Sequence, residues 1–323
     1  MSNVGGGTSP FDLLGPSPAV TEALAQLDRA ASDDRGVLIT AEAGLDAEAV
    51  ARAIHQRSER RERPFIVLVC EGSSAAALEK QLIGGPLQAR GGDLDTIAQT
   101  SALSRVAGGT LFLAGVNEMA APLQRRLARI LRDGEVRVAR RAAPLALDVR
   151  LVAAVEDRLD AGLREELLRR MPLTVEIPAL RQRREDVQPI AEAMLAAKHV
   201  TRGFTPAALT VLAALPWRRN TAELAGLIER LIAGAATSQP IRQEDVLAEV
   251  QLERTPARPT GSLRDARRQF EREFIASVLR DHSWQMRDAA KALGIERANL
   301  YRKARQLGIP LRREGGVERR VSG

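Results

Sequence analysis

Five short apolar runs in the first half of the chain alternate with amphipathic stretches, and this alternation constrains the fold more than any other feature. Strands that are apolar throughout are typical of a parallel sheet covered on both faces, and the amphipathic stretches between them are typical of covering helices. The sequence therefore predicts an α/β domain with a parallel sheet flanked by helices. The predicted strands are Val37–Thr40, Phe65–Val69, Thr110–Leu113, Val149–Val155 and Leu173–Ile177.

Beyond Pro178 the apolar runs stop and only helical periodicities follow, which predicts an all-α subdomain. A stretch rich in proline, glycine, serine and threonine then indicates a linker. The predicted organisation is a disordered N-terminus (1–10), an α/β subdomain (11–180), a helical subdomain (181–250), a linker (251–262), a helical unit (263–310) and a basic tail (311–323).

The basic residues of the chain are concentrated at its C-terminal end. From Arg254 to Gly323 there are 17 basic against 8 acidic side chains, a net charge of +9, whereas the rest of the chain has a net charge of −2. A basic end on a near-neutral body is typical of a nucleic-acid-binding protein. The alternative is a basic surface that is simply solvated.

The segment 286–307, MRDAAKALGIERANLYRKARQL, predicts two short helices around the turn Gly294-Ile295. Such a helix-turn-helix reads DNA through the N-terminal part of its second helix. The alternative is a helical hairpin with a solvated charged face. The expected base-reading residues are Arg297, Asn299 and Arg302, and the expected phosphate contacts are Arg287, Lys303 and Arg305.

This segment resembles the Fis-type DNA-binding domain. The family's Ala-Ala helix, Gly-Ile turn and Leu-Tyr-Arg-Lys recognition helix correspond to 289–290, 294–295 and 300–303. The resemblance implies double-stranded DNA as the partner and a dimer formed through 263–281. The apolar seam expected for that dimer comprises Phe270, Phe274, Ile275, Val278 and Leu279.

Several motifs of the body resemble the AAA+ domain of bacterial enhancer-binding proteins, the NtrC-like activators that remodel sigma-54 RNA polymerase. The motifs are GGTLFL at 108–113, the helix within 117–136, LREELLRRM at 163–171, IPALRQRREDV at 177–187 and PWRRNTAEL at 216–224. Because these motifs extend over most of the body, the resemblance implies an AAA+ α/β subdomain followed by a helical lid.

The positions that correspond to the nucleotide site depart from that family's pattern. A phosphate-binding loop needs glycines and a lysine, and a Mg²⁺ site needs carboxylates. At the matching positions only Gly44 remains of the glycines, Ala47 stands in place of the lysine, and Ala114-Gly115 stand in place of the carboxylates. We therefore expect a degenerate AAA+ domain that does not hydrolyse ATP, a pseudo-ATPase rather than an enzyme. The residues of this degenerate site are Gly44, Asp46, Ala47, Ala114, Gly115 and Glu156.

Two further positions bear on the family's activity. Arg164 and Arg170 match its arginine fingers, although the alternative is that they are surface arginines of a helix. The segment Gly84–Thr100 contains no Gly-Ala-Phe-Thr-Gly-Ala sequence, by which the family contacts sigma-54. The sequence therefore predicts that the chain does not remodel sigma-54 polymerase directly.

Composition excludes several other classes of protein. The chain has no apolar run near the roughly 20 residues of a membrane helix and no signal peptide. Its one cysteine, Cys70, and its three widely separated histidines show no metal-ligand spacing. We expect a cytoplasmic protein without a metal, a cofactor or a membrane partner.

These observations together predict a sequence-specific DNA-binding transcriptional regulator with a catalytically inactive AAA+ scaffold. It is expected to form homo-oligomers, a dimer through 263–281 and a larger assembly through the AAA+-like domain, and to contact RNA polymerase or a related active ATPase. One alternative is a non-catalytic subunit that assembles with an active enhancer-binding ATPase. The other is an architectural DNA-binding protein.

Overall fold

The computed structural model divides the chain into two compact units, Met1–Val250 and Gln251–Gly323, and each is described by itself. The predicted disordered N-terminus, most of the predicted linker and the predicted basic tail lie outside the described residues. The residues that the structure describes are 11–85, 94–139, 143–156, 162–234, 239–254, 272, 275, 278–279, 284–293, 296–307 and 309.

A five-stranded parallel sheet forms the centre of the first unit, in the order β2-β4-β7-β1-β8. Its strands are rich in valine, leucine and isoleucine because both faces of the sheet are covered. The predicted parallel sheet flanked by helices is therefore confirmed. The described strands are β1 (Val37–Ala41), β2 (Phe65–Val69), β3 (Thr96–Ile97), β4 (Thr110–Ala114), β5 (Glu135–Val138), β6 (Leu145–Ala146), β7 (Arg150–Glu156) and β8 (Leu173–Glu176).

Two layers of helices cover the sheet. Helices α1 and α2 pack on one face, and α3 to α6 pack on the other. Helix starts follow the capping rules, since Ser17, Asp46 and Ser74 each accept a backbone N–H of their helix. The helices of this subdomain are α1 (Pro18–Ser32), α2 (Ala47–Arg57), α3 (Ala75–Leu82), α4 (Ala102–Arg105), α5 (Ala121–Asp133) and α6 (Glu165–Leu168).

A second, small sheet in the order β3-β5-β6 was not predicted from the sequence. Strands β3 and β6 contain only two residues each, and β5 alternates exposed and buried residues over four. Runs this short carry too little periodicity to be told from a loop.

A helical lid follows the sheet, as the sequence predicts. Trp217 is buried in its core and donates its indole N–H to the carbonyl of Leu212 (2.9 Å). The last lid helix extends to Arg254, four residues into the predicted linker, and the residues that follow lie outside the described ones. The lid helices are α7 (Val187–Ala197), α8 (Pro206–Ala214), α9 (Asn220–Gly234) and α10 (Gln243–Arg254).

The second unit contains α11 (Met286–Ala292) and α12 (Arg297–Gln306), the two helices expected for a helix-turn-helix. The predicted turn residues 294–295 lie outside the described residues, and so does most of the predicted dimer helix. Ile275 and Leu279 of the predicted dimer seam are buried in the core of their own unit, where they cannot also cover a partner. The core residues predicted for α11 and α12 are buried with them, apart from the half-buried Leu293; these are Met286, Ala289, Ala290, Leu300, Ala304 and Leu307.

In the part of the chain that the structure describes, no helix is both long enough and apolar enough to cross a membrane.

Candidate functional site

The six residues of the predicted nucleotide site come together at the carboxyl edge of the central sheet. This follows from topology, because β4, β7 and β1 are neighbours and parallel strands end at the same edge. Glu156 at the end of β7 lies opposite Ala41 at the end of β1. Gly44, Asp46 and Ala47 follow β1, whereas Ala114 ends β4 and Gly115 follows it.

Asp46 occupies the N-terminal end of α2. Its carboxylate accepts the backbone N–H of Ala49 (2.9 Å), so it caps the helix that an incoming phosphate would otherwise meet. Ala47, the first residue of the helix, contributes only a methyl group. The chain's own carboxylate therefore takes a donor that would suit an anionic ligand.

A second carboxylate, Asp12, lies under this loop and is 2% exposed. It accepts the backbone N–H of Asp46 (2.5 Å) and the hydroxyl of Thr221 from the first turn of α9. Burial raises the pKa of the Asp12 carboxyl above its ordinary value, and the hydrogen bonds from Thr221 and Asp46 oppose that shift. Asp12 thus joins the loop after β1 to the lid.

The lid also binds the loop directly. The carbonyl of Gly44 accepts the backbone N–H of Ala222 (3.0 Å) and the hydroxyl of Thr221 (3.1 Å), and the side-chain amide of Asn220 donates to the carbonyl of Ala43 (3.0 Å). Gly44 has a φ of +84°, and a Cβ there would lie 2.0 Å from the carbonyl oxygen of Arg219. A glycine is therefore required where the lid meets the loop.

A cavity of about 580 Å³ lies between the loop and the lid. Apolar groups line most of it, among them Phe11, Leu45 and Met194. The carboxylates that reach it are Asp12 and Asp46, and no lysine or arginine is among the described residues that line it. Its size and apolar character suit a planar organic group, whereas its charge opposes a triphosphate.

An ion pair at the rim fixes the start of this loop. Glu42 accepts from the guanidinium of Arg181, which lies beyond the end of β8, with Nη2–Oε1 at 2.6 Å. Hydrogen bonding to Arg181 holds the pKa of the Glu42 carboxyl below its usual value. The positive charge of Arg181 is therefore paired with Glu42 at the start of the loop.

The structure does not bring Arg164 and Arg170 to the cavity, and neither lines it. Arg164 is exposed just before α6, where its backbone N–H donates to the side-chain oxygen of Gln124 (2.7 Å). Arg170 is half-buried, and its Nε makes no hydrogen bond with any described residue.

Helix α12 of the second unit has a buried face and an exposed, basic face. Leu300, Ala304 and Leu307 turn inward, and the segment carries the residues expected to bind DNA on its outside. Of those residues, Arg297, Arg302 and Arg305 on α12 and Arg287 on α11 are exposed, whereas Asn299 and Lys303 are half-buried.

Two contacts order this exposed face. Arg302 donates to the side-chain oxygen of Asn299 (2.8 Å), and the guanidinium of Arg297 lies over the ring of Tyr301 at 5.7 Å from its centroid. Both contacts hold long side chains in place before any ligand arrives, which lowers the entropy cost of binding.

Sequence reasoning missed Asp12 and Thr221, which are 209 positions apart and become neighbours only when the lid packs on the loop. One local signal was available. Asp12 is a single acidic residue inside the apolar segment Phe11-Asp12-Leu13-Leu14, and an isolated carboxylate in such a segment is typical of a buried, hydrogen-bonded group.

Comparison with protein families gives three matches that together span most of the chain. Residues 13–175 match the family model described as the Sigma-54 interaction domain. Residues 181–262 match the AAA+ ATPase lid domain, and residues 266–307 match the Bacterial regulatory protein, Fis family.

Individual proteins give the same picture. The chain is 31% identical over 309 residues to the transcriptional regulatory protein ZraR of Escherichia coli, covering 91% of this chain and 68% of ZraR. It is 33% identical over 307 residues to the alginate biosynthesis transcriptional regulatory protein AlgB of Pseudomonas aeruginosa, covering 91% and 67%. The crystal structure of NtrX from Brucella abortus has a TM-score of 0.62 and 27% identity, covering 92% of this chain and 70% of that one.

These comparisons overturn one prediction. The expectation that the chain is not an enzyme but a pseudo-ATPase is wrong, because the chain matches an ATPase lid family and resembles NtrX, which has also been solved in complex with ATP and with ADP. The expectation gave decisive weight to a few charged positions. The chain retains the α/β body, the lid and an apolar cavity between them.

Proposed function

This chain belongs to the family of bacterial transcriptional regulators that join a sigma-54 interaction domain to a Fis-type helix-turn-helix, and from that premise we propose that it binds a specific double-stranded DNA site and regulates transcription by sigma-54 RNA polymerase. The chain is a transcriptional regulator with a DNA-binding helix-turn-helix. Its site of action is the cytoplasm, where bacterial DNA lies.

The exposed face of α12 is the observation that supports specific DNA binding. Arginine bonds guanine and asparagine bonds adenine in the major groove, where the N-terminal part of a recognition helix makes the base contacts. Arg297 and Asn299 lie in the first half of this helix, and Arg302 follows at its sixth position. Lys303, Arg305 and Arg287 are assigned to the phosphates, which position the protein without reading sequence.

Genome-wide occupancy of the tagged full chain in its own cells tests this function. We expect discrete peaks at promoters with sigma-54 elements beneath them, and loss of those peaks in an Arg297→Ala, Asn299→Ala variant. Diffuse occupancy with steep salt dependence in vitro would instead support an architectural DNA-binding protein. Peaks that persist in the variant would contradict the assignment of the base-reading residues.

We further propose that the cavity between loop and lid binds an adenine nucleotide, since NtrX has been solved in complex with ATP and with ADP. The apolar lining suits the base. The phosphates do not fit the cleft as it stands, since Asp46 caps α2 and no basic side chain is among the described lining residues. The negative charge of Asp46 therefore opposes the phosphates at the N-terminal end of α2.

Titration of the full chain with a fluorescent ATP analogue tests nucleotide binding. We expect saturable binding that an Ala225→Trp substitution in the cavity wall abolishes while the melting temperature is retained. Phosphate release measured in the same samples tests turnover. Binding that survives the substitution would place the nucleotide elsewhere.

We also propose that the chain forms homo-oligomers in which Arg164 or Arg170 reaches the nucleotide of a neighbouring copy. The exposure of Arg164 and its absence from the lining of its own cavity support this arrangement. An arginine finger supplied to another site is worth about 10³–10⁵-fold in rate. Phosphate release by the assembled protein that is unchanged by Arg164→Ala and Arg170→Ala would contradict it.

A further inference from the structure

The two edges of the central sheet are covered differently. Strand β8 forms one edge, and α1 packs against it. Strand β2 forms the other edge, and it pairs with β4 on one side only, since no described strand pairs with its outer side. An uncovered edge strand offers backbone groups to which another chain can bind.

The direction of the free backbone groups follows from two hydrogen bonds. The carbonyl of Pro64 accepts from Thr110 (2.9 Å), and the N–H of Cys70 donates to Ala114 (2.8 Å), so the even-numbered residues of β2 face β4. Because backbone groups alternate along a strand, Phe65 and Val67 direct their N–H and C=O groups away from β4. These four groups make no hydrogen bond with any described residue.

A groove of about 850 Å³ runs along this edge. Its walls are β2, α3 and α4, with Arg52 of α2 at one side. At the end of the strand, Val69 is 51% exposed, so the surface also offers an apolar contact. A groove with an open strand at its base has room for one extended segment of chain.

The groove is basic. Arg52, Lys80 and Arg105 line it, and no carboxylate is among its described lining residues. Arg52 is paired with Glu48 (2.7 Å) and lies over the ring of Phe65, 4.7 Å from the centroid. Lys80 and Arg105 are exposed, and neither forms an ion pair with any described residue. Their charges are available to a ligand.

We propose that the free edge of β2 binds an extended, acidic peptide segment of a partner protein by β-strand addition. The backbone groups of Phe65 and Val67 give the pairing, and Lys80 and Arg105 give the preference for acidic side chains. A second copy pairing through the same edge would bring two identical sets of cations together, which opposes a symmetric contact. A nucleic acid has no strand backbone to pair with β2.

Binding of a synthetic peptide to the full chain tests this surface. The probe is a fluorescein-labelled peptide of about eight residues that alternates threonine and glutamate, a length typical of a strand. We expect saturable binding that is at least about tenfold weaker for a peptide with lysine in place of glutamate. Methylating alternate backbone nitrogens of the acidic peptide removes its pairing N–H groups and should abolish binding.

Two variants locate the site. Lys80→Glu with Arg105→Glu should abolish binding, and Val67→Pro should also abolish it, since Val67 directs its N–H to the open side and a proline there leaves the β2–β4 ladder intact. The control is Arg29→Glu, a reversal of a single charge on α1 beside the opposite edge. It should leave binding unchanged, and all variants should retain the melting temperature and DNA affinity.

Several outcomes would overturn the proposal. If the methylated peptide binds as tightly as the unmethylated one, strand addition is excluded. This comparison uses the unchanged protein, so it decides the question even if Val67→Pro does not fold. If the peptide does not bind, and single-stranded DNA binds to the unchanged protein but not to the charge-reversed variant, the groove is a nucleic-acid site. A change in sedimenting mass on charge reversal, without peptide, would assign it to a contact between copies.

Discussion

The cleft and helix α12 are both positions where a polyanion is proposed to bind, but they use their hydrogen-bond donors in opposite ways. In the cleft, Asp46 takes a donor of α2, and Asp12 takes the donor of Asp46 itself. On α12, Arg297 and Arg302 direct their donors to the exposed face. A helix N-terminus alone therefore does not make an anion site, because the neighbouring side chains decide whether its donors are free.

The largest expected effect is a loss of DNA affinity when residues of α12 are substituted, with no such loss for a substitution in the other unit. Arg297→Ala with Asn299→Ala should cost about 2–6 kcal/mol of affinity for the specific DNA site, since each base contact is worth about 1–3 kcal/mol. Fluorescence anisotropy with the site found by occupancy measures this loss. Arg29→Ala, on α1 of the other unit, is the control and should bind as the unchanged protein does. Equal losses on random DNA would make these residues phosphate contacts.

The next effect is a loss of stability, which tests whether the buried carboxylate of Asp12 stabilises the loop of the cleft. Asp12→Ala removes the acceptor of the Asp46 N–H and one of the two acceptors near the Thr221 hydroxyl, which should lower the free energy of unfolding by about 1–3 kcal/mol. Urea denaturation measures the change. The control Asp28→Ala removes an exposed carboxylate paired with Arg57 and should change stability by less than about 0.5 kcal/mol. Equal stabilities would mean that Asp12 does not hold the loop.

A smaller effect tests whether Asp46 opposes a nucleotide. Asp46→Asn removes a negative charge but keeps an oxygen that can cap α2, so affinity for ATP should rise on the order of tenfold. The same fluorescent titration measures it. Glu48→Gln removes the same charge from an exposed position further along α2 and serves as the control. Unchanged affinity in Asp46→Asn would show that the phosphates bind away from this helix end.

The smallest effect concerns pH. Burial raises the pKa of Asp12 in the folded protein, so the folded state holds this proton more tightly than the unfolded state does. The unchanged protein should therefore be most stable relative to Asp12→Asn at a pH below the ordinary Asp value, and it should lose that advantage as pH rises towards the raised value. Urea denaturation of both proteins between pH 3 and 7 measures the difference. A difference that grows with pH would give Asp12 a lowered pKa instead.

Much of the fold could be predicted because long elements carry periodicity. The strand Phe65–Val69 can be predicted from its apolar run. The helix Pro206–Ala214 can be predicted from the proline at its first position and the capping residue before it. Strands β3 and β6 could not be predicted, since two residues have no period. A long strand or helix can be recognised from its own sequence, whereas a two-residue strand forms only because a neighbouring strand pairs with it.

The candidate site was only partly predictable. The residues near Gly44 and on α12 were found because they follow a strand or lie on one helical face. The contact between Asp12 and Thr221 depends on the lid returning to the loop after some two hundred residues, and spacing cannot show it. The seam residues Ile275 and Leu279 illustrate a related ambiguity, because an apolar stripe does not specify whether it faces its own core or a partner.

The bonds between Gly44 and α9 have a mechanical consequence. Asn220, Thr221 and Ala222 hold the carbonyls of Ala43 and Gly44 through consecutive residues of one helical turn. The lid cannot swing without releasing these carbonyls together, and the loop cannot change shape without pulling on the lid. The conformation of the loop and the angle of the lid are therefore coupled, since a change in either one requires these hydrogen bonds to shift or break together.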